Sequence, residues 1–308
     1  MGQVGQAEII FVVPNGTGDG SSWATATNLP TALAKATATT EIWVAQGVHT
    51  PTATTNREAT FTLTDGVQLY GGFFGNETNR ADRKPRFRET VLSGEIGNPT
   101  PADNSYTVVH IVNASAATVL DGFTISDGNA NGSTGPGTMQ RCGGGIFNTG
   151  TVASSPSISN CIIKDNFARE GGAVYNYGSA GKSNPAIVKC SFINNQAGLD
   201  GGAIYNDGKD GESNPSLVNC HFEDNLANYG AGIFCNPQNG TSALALSNCT
   251  FKNNQAFMWG GGIYGDKNKG AFSYNLKDCE FNNNYPTDIN KEVSFGDISP
   301  VNSTKGSR

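Results

Sequence analysis

Five residues that each precede a glycine-rich segment are the first candidates for chemistry in this sequence. They follow one another at intervals of 28 to 30 residues: Cys142, Glu170, Asp200, Tyr229 and Trp259. If the segments stack, Glu170 and Asp200 become neighbours, and their carboxyl groups approach the separation of about 5 Å that retaining glycosidases use. Tyr229 and Trp259 then offer flat aromatic faces to a sugar ring. The row predicts catalysis or sugar binding, and the alternative is a variable, solvated loop position.

A second row of aromatic residues runs through the glycine-rich segments themselves. Its members are Phe147, Tyr175, Tyr205, Phe234 and Tyr264, and an aliphatic residue precedes each of them. Because successive side chains of a strand point to opposite faces, aliphatic residues that face a core leave the aromatic residues facing outward. Five stacked strands would carry an aromatic stripe about 20 Å long, and an exposed stripe of this kind marks a binding surface. The alternative is that the long loops 177–184 and 207–214 cover it.

Two further clusters carry charge. The loop 206–212 contains the carboxylates Asp207, Asp210 and Glu212, which resemble a calcium loop but lack its regular spacing. Calcium is the single cofactor that this pattern suggests, and we otherwise expect none.

A basic cluster between positions 80 and 88 contains Arg80, Arg83, Lys84, Arg86 and Arg88, with Asp82 within it and Glu89 directly after it. They predict a solvated loop or a contact with a polyanion.

The elements that position these residues follow from an internal repeat. Cysteines recur at Cys161, Cys190, Cys220, Cys249 and Cys279, and asparagines follow each by five residues at Asn166, Asn195, Asn225, Asn254 and Asn284. A period of about 30 residues with short strand-like pieces indicates a solenoid whose coils bury their faces on one another. The predicted fold is all-β, a right-handed parallel β-helix, with three short strands in each coil.

The repeat also predicts the local geometry of a coil. The step from Leu217 to Cys220 breaks the two-residue alternation and indicates a corner at Asn219 and its equivalents, Asn160, Lys189, Asn248 and Asp278. The cysteines then point inward as free, buried thiols, because parallel Cβ vectors disfavour a disulfide between coils. The asparagines form an amide ladder along the stack.

Length and composition exclude several classes of protein. The chain has 308 residues, of which 40 are glycine, and 15% are charged. Glycine in this amount argues against a helical bundle, and a net charge of −6 argues against nucleic-acid binding. No apolar run of about 18 residues exists, so we expect no insertion into a membrane. Because no recognisable signal peptide opens the sequence, the protein is expected to be either cytosolic or a mature form or fragment of an exported one.

We expect a single β-helix domain over 1–308. The sequence divides it into an N-terminal cap with the first coils (1–60), irregular coils (61–141), regular coils (142–285) and a tail (286–308). A helix is predicted over Leu29–Ala38, with Asn28 as N-cap and Pro30 in the first turn. It would cap the open edge of the solenoid.

Pairs such as Phe192 and Asn195, each followed by a GGA[IV] or GAGI strand, resemble the repeats of polymorphic outer membrane proteins. Those repeats form the β-helical passengers of autotransporter adhesins, and the resemblance covers residues 142–284. The segments 16–23, 71–77 and 119–125 resemble the start of secreted bacterial β-helix proteins of the pectate-lyase-like class. The resemblance implies an exported, surface-associated protein, but the fold by itself implies no activity.

These patterns predict a secreted or bacterial cell-surface protein that acts as a monomeric, non-catalytic adhesin. Its partner is expected to be a cell-surface glycan or protein. The residues expected to bind it are Tyr229, Trp259, Tyr175, Tyr205 and Tyr264. The alternatives are a polysaccharide lyase or glycoside hydrolase that works at Glu170 and Asp200, and a structural spacer. The Asp-Asp and Gly-His-Gly signatures of polygalacturonase-like hydrolases are absent from the sequence.

Overall fold

The computed structural model describes residues 8–87, 89–267 and 269–289. Within these residues the chain is an all-β parallel solenoid whose strands form four sheets. Each strand of the regular coils pairs in parallel with the equivalent strand one coil away, as Val174–Tyr177 does with Ile204–Asp207. The largest sheet holds nine strands, one from each coil. This confirms the parallel solenoid with a period of about 30 residues that the cysteine spacing predicts.

The strands follow in chain order. They are β1 (Ile9–Val12), β2 (Glu41–Ala45), β3 (Gly47–His49), β4 (Phe61–Leu63), β5 (Gln68–Phe73), β6 (Thr90–Ser93), β7 (Val109–Val112), β8 (Val119–Asp121), β9 (Thr124–Ser126), β10 (Asn129–Ala130), β11 (Ile146–Thr149), β12 (Ser157–Ser159), β13 (Ile162–Lys164), β14 (Phe167–Glu170) and β15 (Val174–Tyr177). The later coils contain β16 (Ala186–Val188), β17 (Ser191–Ile193), β18 (Gln196–Asp200), β19 (Ile204–Asp207), β20 (Ser216–Val218), β21 (His221–Glu223), β22 (Leu226–Tyr229), β23 (Ile233–Asn236), β24 (Thr241–Ser247), β25 (Thr250–Lys252), β26 (Gln255–Trp259), β27 (Ile263–Gly265), β28 (Ala271–Lys277) and β29 (Glu280–Asn282).

The four sheets each run along the solenoid. Sheet A contains β1, β2, β5, β8, β12, β16, β20, β24 and β28. Sheet B contains β3, β6, β9, β13, β17, β21, β25 and β29. Sheet C contains β4, β7, β11, β15, β19, β23 and β27, and sheet D contains β10, β14, β18, β22 and β26. A regular coil passes through sheets A, B, D and C in that order.

The prediction of three strands per coil is wrong, because each regular coil has a fourth strand in sheet D. This strand lies between the repeated asparagine and the glycine-rich segment, as β18 does. Within β18 only Ala197 is buried. A strand that buries a single alanine leaves no alternation of apolar and polar residues for the sequence to display.

Two corners in every regular coil use left-handed backbone. The corner between sheets A and B has positive φ at the five residues that the sequence predicts, Asn160, Lys189, Asn219, Asn248 and Asp278. The corner between sheets B and D has positive φ at Asp165, Asn194, Asp224, Asn253 and Asn283. Asparagine and aspartate adopt this conformation more readily than other residues with a side chain. Nine of these ten corner residues are asparagine or aspartate.

Columns of like side chains fill the interior. The rings of Phe192, Phe222 and Phe251 stack at centroid distances of 4.7 and 4.5 Å. Nδ2 of Asn195 donates to Oδ1 of Asn225 at 3.1 Å, and the same contact recurs from coil to coil. The seven cysteines are free and buried. The same ring stacking and amide hydrogen bonds therefore recur between successive coils.

One α-helix, α1 (Leu29–Lys35), precedes the regular coils, with short 3₁₀ turns at Trp23–Thr25 and Arg80–Asp82. Oδ1 of Asn28 accepts a hydrogen bond from the amide of Thr31 at 3.0 Å, which confirms the predicted N-cap. The helix ends at Lys35 rather than at Ala38, because the threonine-rich segment after it forms a turn and β-branched residues disfavour helix. Among the described residues no helix is long and apolar enough to cross a membrane.

Candidate binding site

The strands of sheet D end at the row of residues that the sequence singles out. β14, β18, β22 and β26 end at Glu170, Asp200, Tyr229 and Trp259. Parallel pairing sets Glu170 beside Asp200 and Tyr229 beside Trp259. A glycine with φ between 59° and 71° follows each of them and turns the chain toward sheet C. The row therefore lies at the ordered C-terminal ends of the strands of sheet D and is not a variable loop.

Glu170, one of the two carboxylates of the suggested catalytic pair, lies in an ion pair with Arg141. Nε of Arg141 donates a hydrogen bond to Oε2 of Glu170 at 2.8 Å, and Nη2 donates one to Oε1 at 2.6 Å. The side chains of Arg141 and Glu170 are only 16% and 9% exposed. The Cys142 thiol donates to Oε2 at 3.6 Å. Burial, with the Glu170 charge second, raises the pKa of that thiol to about 12. A guanidinium that contacts both oxygens of a carboxylate forms a strong, bidentate ion pair.

Asp200 lies one coil further on in a different environment. Its side chain is half-buried, and burial raises its pKa to about 6, with the negative charge of Glu170 as the second cause. The amide of Tyr229 and the charge of Lys269 act in the opposite direction and are weaker. The two carboxyl groups of the row therefore differ in chemistry, because Arg141 neutralises Glu170 while Asp200 can take up a proton near neutral pH.

The aromatic end of the row faces solvent. Tyr229 is half-buried, and its ring lies against that of Tyr264 at a centroid distance of 4.9 Å. Trp259 is 43% exposed. β26 is the last strand of sheet D and also exposes Phe257 and Met258. Tyr285, which is bridged to Gln255, is exposed as well. We call Phe257, Met258, Trp259 and Tyr285 the terminal apolar patch.

The predicted aromatic stripe is buried, which corrects the assignment of Tyr175 and Tyr205 as binding residues. Tyr175 and Tyr205 are 2% and 8% exposed, and their rings stack at 4.8 Å. The strand parity is as predicted, since the aliphatic residue before each ring lies in the main core. The rings form a second hydrophobic cluster with Cys142, and Met139, Tyr177 and Tyr229 pack against it. Tyr264, at the end of the row, is half-buried.

The three carboxylates of the suggested calcium loop contact separate protein groups. Asp207 is buried and accepts hydrogen bonds from the Tyr175 hydroxyl at 2.8 Å and from Asn236 at 3.1 Å. Asp210 accepts from Asn239, and Glu212 pairs with Lys182. Across residues 8–87, 89–267 and 269–289, no group of three or more His, Cys, Asp or Glu side chains is placed to hold a metal ion. Each carboxylate has its own protein partner because the loop stacks on its neighbours.

The structure adds three residues that sequence reasoning missed. Arg141 neutralises Glu170, and its signal was its position immediately before Cys142, the first member of the row. Phe257 and Met258 stand where the preceding coil has Asn228, so the replacement of a polar residue by two apolar ones on an outward face was visible in the sequence.

Two segments of the chain match the family model of the Chlamydia polymorphic membrane protein repeat, at residues 189–207 and 248–266. Each match runs from the corner after sheet A through sheets B and D into sheet C. Each therefore includes one member of the row, Asp200 in the first segment and Trp259 in the second. This confirms the resemblance that the FxxN and glycine-rich pattern predicts. These two segments are similar to the polymorphic membrane protein repeat.

Comparisons with whole proteins gave distant likenesses. No curated protein matches the chain. Among solved structures, pectate lyase Pel9A is 12% identical with a TM-score of 0.44, over 89% of this chain and 78% of that chain. The pectin methylesterase from Aspergillus niger is 14% identical with a TM-score of 0.39, over 97% of this chain and 92% of that chain.

Proposed function

We propose that this protein is an exported, surface-associated adhesin that binds a cell-surface glycan along the row formed by Asp200, Tyr229 and Trp259. Repeats of the polymorphic membrane protein type support the surface assignment. The observation that carries the ligand class is the exposure of Trp259 on an ordered strand, in the same row as a tyrosine and a carboxyl group. Aromatic faces accept the apolar side of a sugar ring, and a carboxyl group accepts hydrogen bonds from its hydroxyls.

The row suits a polymer better than a small molecule. Its members are one coil apart, so neighbouring side chains are spaced by about 4.8 Å along the solenoid. The row follows the length of sheet D and is not enclosed as a pocket would be. An extended glycan can contact several coils at once, and these weak contacts add up along the chain.

Helix α1 would cover the N-terminal end of the solenoid, because Leu29 and Ala32 are buried against the first strands. The coil would be right-handed, which chirality favours for parallel crossovers. The protein would act as a monomer, with the row open along one side.

A glycan array followed by calorimetric titration of the best ligand tests the proposal. We expect Trp259→Ala to weaken binding about tenfold, which is the upper range for the loss of one aromatic contact. Val152→Ala is the matched control, since Val152 is 76% exposed on a different loop. Equal affinities for the wild type and Trp259→Ala would overturn the assignment of the row. Binding of no glycan by the wild type would leave the structural spacer as the better description.

Catalysis on a polysaccharide is a second candidate, and the pKa of Asp200 favours it. A carboxyl group whose pKa is raised to about 6 is suited to donate a proton near neutral pH. Reducing-end release and the absorbance of unsaturated products would be measured on neutral and acidic polysaccharides. Turnover that Asp200→Asn abolishes and Asn228→Ala retains would establish an enzyme. Absence of turnover across the panel would exclude this candidate for the substrates tested.

A further inference from the structure

A tight turn between β5 and β6 holds the side chains of Lys84, Arg86 and Phe87 outward, and we call Lys84–Phe87 the basic turn. The amide of Phe87 donates a hydrogen bond to the carbonyl oxygen of Lys84 at 2.8 Å. The amide of Lys84 donates one to the carbonyl oxygen of Gly72 at 2.7 Å. Pro85 lies so close to Gly72 that a Cβ there would meet Pro85 Cα at 2.5 Å. The glycine at φ 88° thus allows the turn to seat directly on β5.

The two arginines that precede the basic turn are occupied within the fold. Arg80 pairs with Glu41 and Arg83 with Asp121, each at 2.5 Å. Both guanidinium groups also lie over the ring of Tyr70, at 4.5 and 5.1 Å from its centroid. These contacts fasten the segment to sheet A. They also mean that the charges of Arg80 and Arg83 are compensated and do not act on a partner.

Lys84 and Arg86 are different, because both are exposed and neither has a carboxylate within 4.0 Å among the described residues. Phe87 beside them is 82% exposed, the largest value for any large hydrophobic residue in the described part of the chain. Phe74 and Val48, on adjacent segments, are 51% and 57% exposed. Hydrogen bonds between residues 46 and 73, and between 47 and 89, hold those segments next to the turn.

We propose that the basic turn binds the headgroup region of an anionic lipid bilayer. Lys84 and Arg86 would contact lipid phosphates, while Phe87 enters the interface between headgroups and acyl chains. The apolar component decides between partners, because a polyanionic glycan would be served by the cations alone and would leave Phe87 in water. The protein carries a net charge of −6, so the attraction is local to this turn. The contact lies at the level of the headgroups and requires no membrane span.

Preorganisation makes so small a surface effective. The hydrogen bonds and the seat of Pro85 on Gly72 fix the backbone of the turn before it meets a membrane. Binding therefore costs little loop ordering, which otherwise subtracts from affinity. Two cations and one aromatic ring still give a modest affinity, and several copies on one surface would act together.

Vesicle flotation with the full chain tests the proposal. The vesicles would be phosphatidylcholine alone, or phosphatidylcholine with about one-third phosphatidylglycerol. We expect binding to the anionic vesicles that weakens with added salt. The double variant Lys84→Ala/Arg86→Ala should bind about 30-fold more weakly, and Phe87→Ala about tenfold more weakly. Val152→Ala should bind like the wild type.

Three results would overturn the proposal. They are equal binding to both vesicle types, unchanged vesicle binding by Phe87→Ala, and binding of soluble heparin that depends on Lys84 and Arg86 but not on Phe87. The last result would assign the turn to a polyanionic glycan. Trp259→Ala should leave vesicle binding intact, so failure of this proposal and failure of the glycan site can be told apart.

Discussion

The asparagine ladder offers the sharpest test of how this solenoid is held together. Asn225 is 1% exposed, and its side chain makes four hydrogen bonds. Oδ1 accepts from the amide and from Nδ2 of Asn195, at 3.0 and 3.1 Å. Nδ2 donates to the carbonyl oxygen of Phe192 at 2.9 Å and to Oδ1 of Asn254 at 2.8 Å. Asn225→Ala removes all four and leaves their partners buried.

The expected loss follows from that count. Each hydrogen bond contributes about 1 kcal/mol net, so four give about 4 kcal/mol. The loss falls below this figure only if water enters the space that the side chain leaves. Asn228→Ala is the control in the same coil, because its side chain makes one exposed hydrogen bond of 3.4 Å to Gly198. We expect that variant to lose about 0.5 kcal/mol or less.

Urea unfolding followed by circular dichroism would measure both variants. Amide hydrogen exchange would add a local check, since the amide of Asn195 loses its acceptor in Asn225→Ala and should exchange faster. A loss below about 1 kcal/mol for Asn225→Ala would contradict the reasoning. It would mean that the ladder is a consequence of stacking and contributes little to stability.

Three further changes have defined outcomes. Gly201→Ala should destabilise the protein by more than about 1 kcal/mol in urea unfolding. The reason is that the residue has φ 71° and an added Cβ would lie 2.8 Å from a carbonyl oxygen. Gly198→Ala is the control and should be tolerated, because an added Cβ there would lie 3.4 Å from the nearest atom. Arg141→Ala should cost about 3 kcal/mol at neutral pH by leaving Glu170 buried and unpaired, and adding Glu170→Gln should recover most of this in a double-mutant cycle. The pKa of Asp200 in the folded protein is raised from 3.8 to about 6. The stability that this group contributes is therefore present below pH 3.8 and is lost as the pH rises to about 6. Unfolding midpoints measured over this pH range should show that pH dependence in the wild type and not in Asp200→Asn.

Features that repeat were predictable from the sequence. The corner at Asn219 and the inward direction of Cys220 follow from a pattern of a few residues, and five copies of that pattern reinforce one another. Sheet D was missed, because β18 buries a single alanine and has no apolar alternation.

The candidate site was predicted less completely, because its chemistry depends on neighbours that the pattern does not name. Parity correctly placed Tyr175 on the outer face of its strand, but Met139 and Tyr177 cover that face. The register correctly paired Glu170 with Asp200, but Arg141 makes the two carboxyl groups unequal.

The period, the stacking and the inward columns follow from the repeat, since in a solenoid each coil packs on a near copy of itself and local preference is repeated along the stack. Tertiary structure alone decided which outward residues meet solvent. Tyr205 is covered, whereas Trp259, which stands in the row at the end of sheet D, is exposed. The physical reason is that a side chain on the outer face is buried only by whatever lies over it. Met139 and Tyr177 pack against the ring cluster that contains Tyr205, whereas Trp259 is 43% exposed.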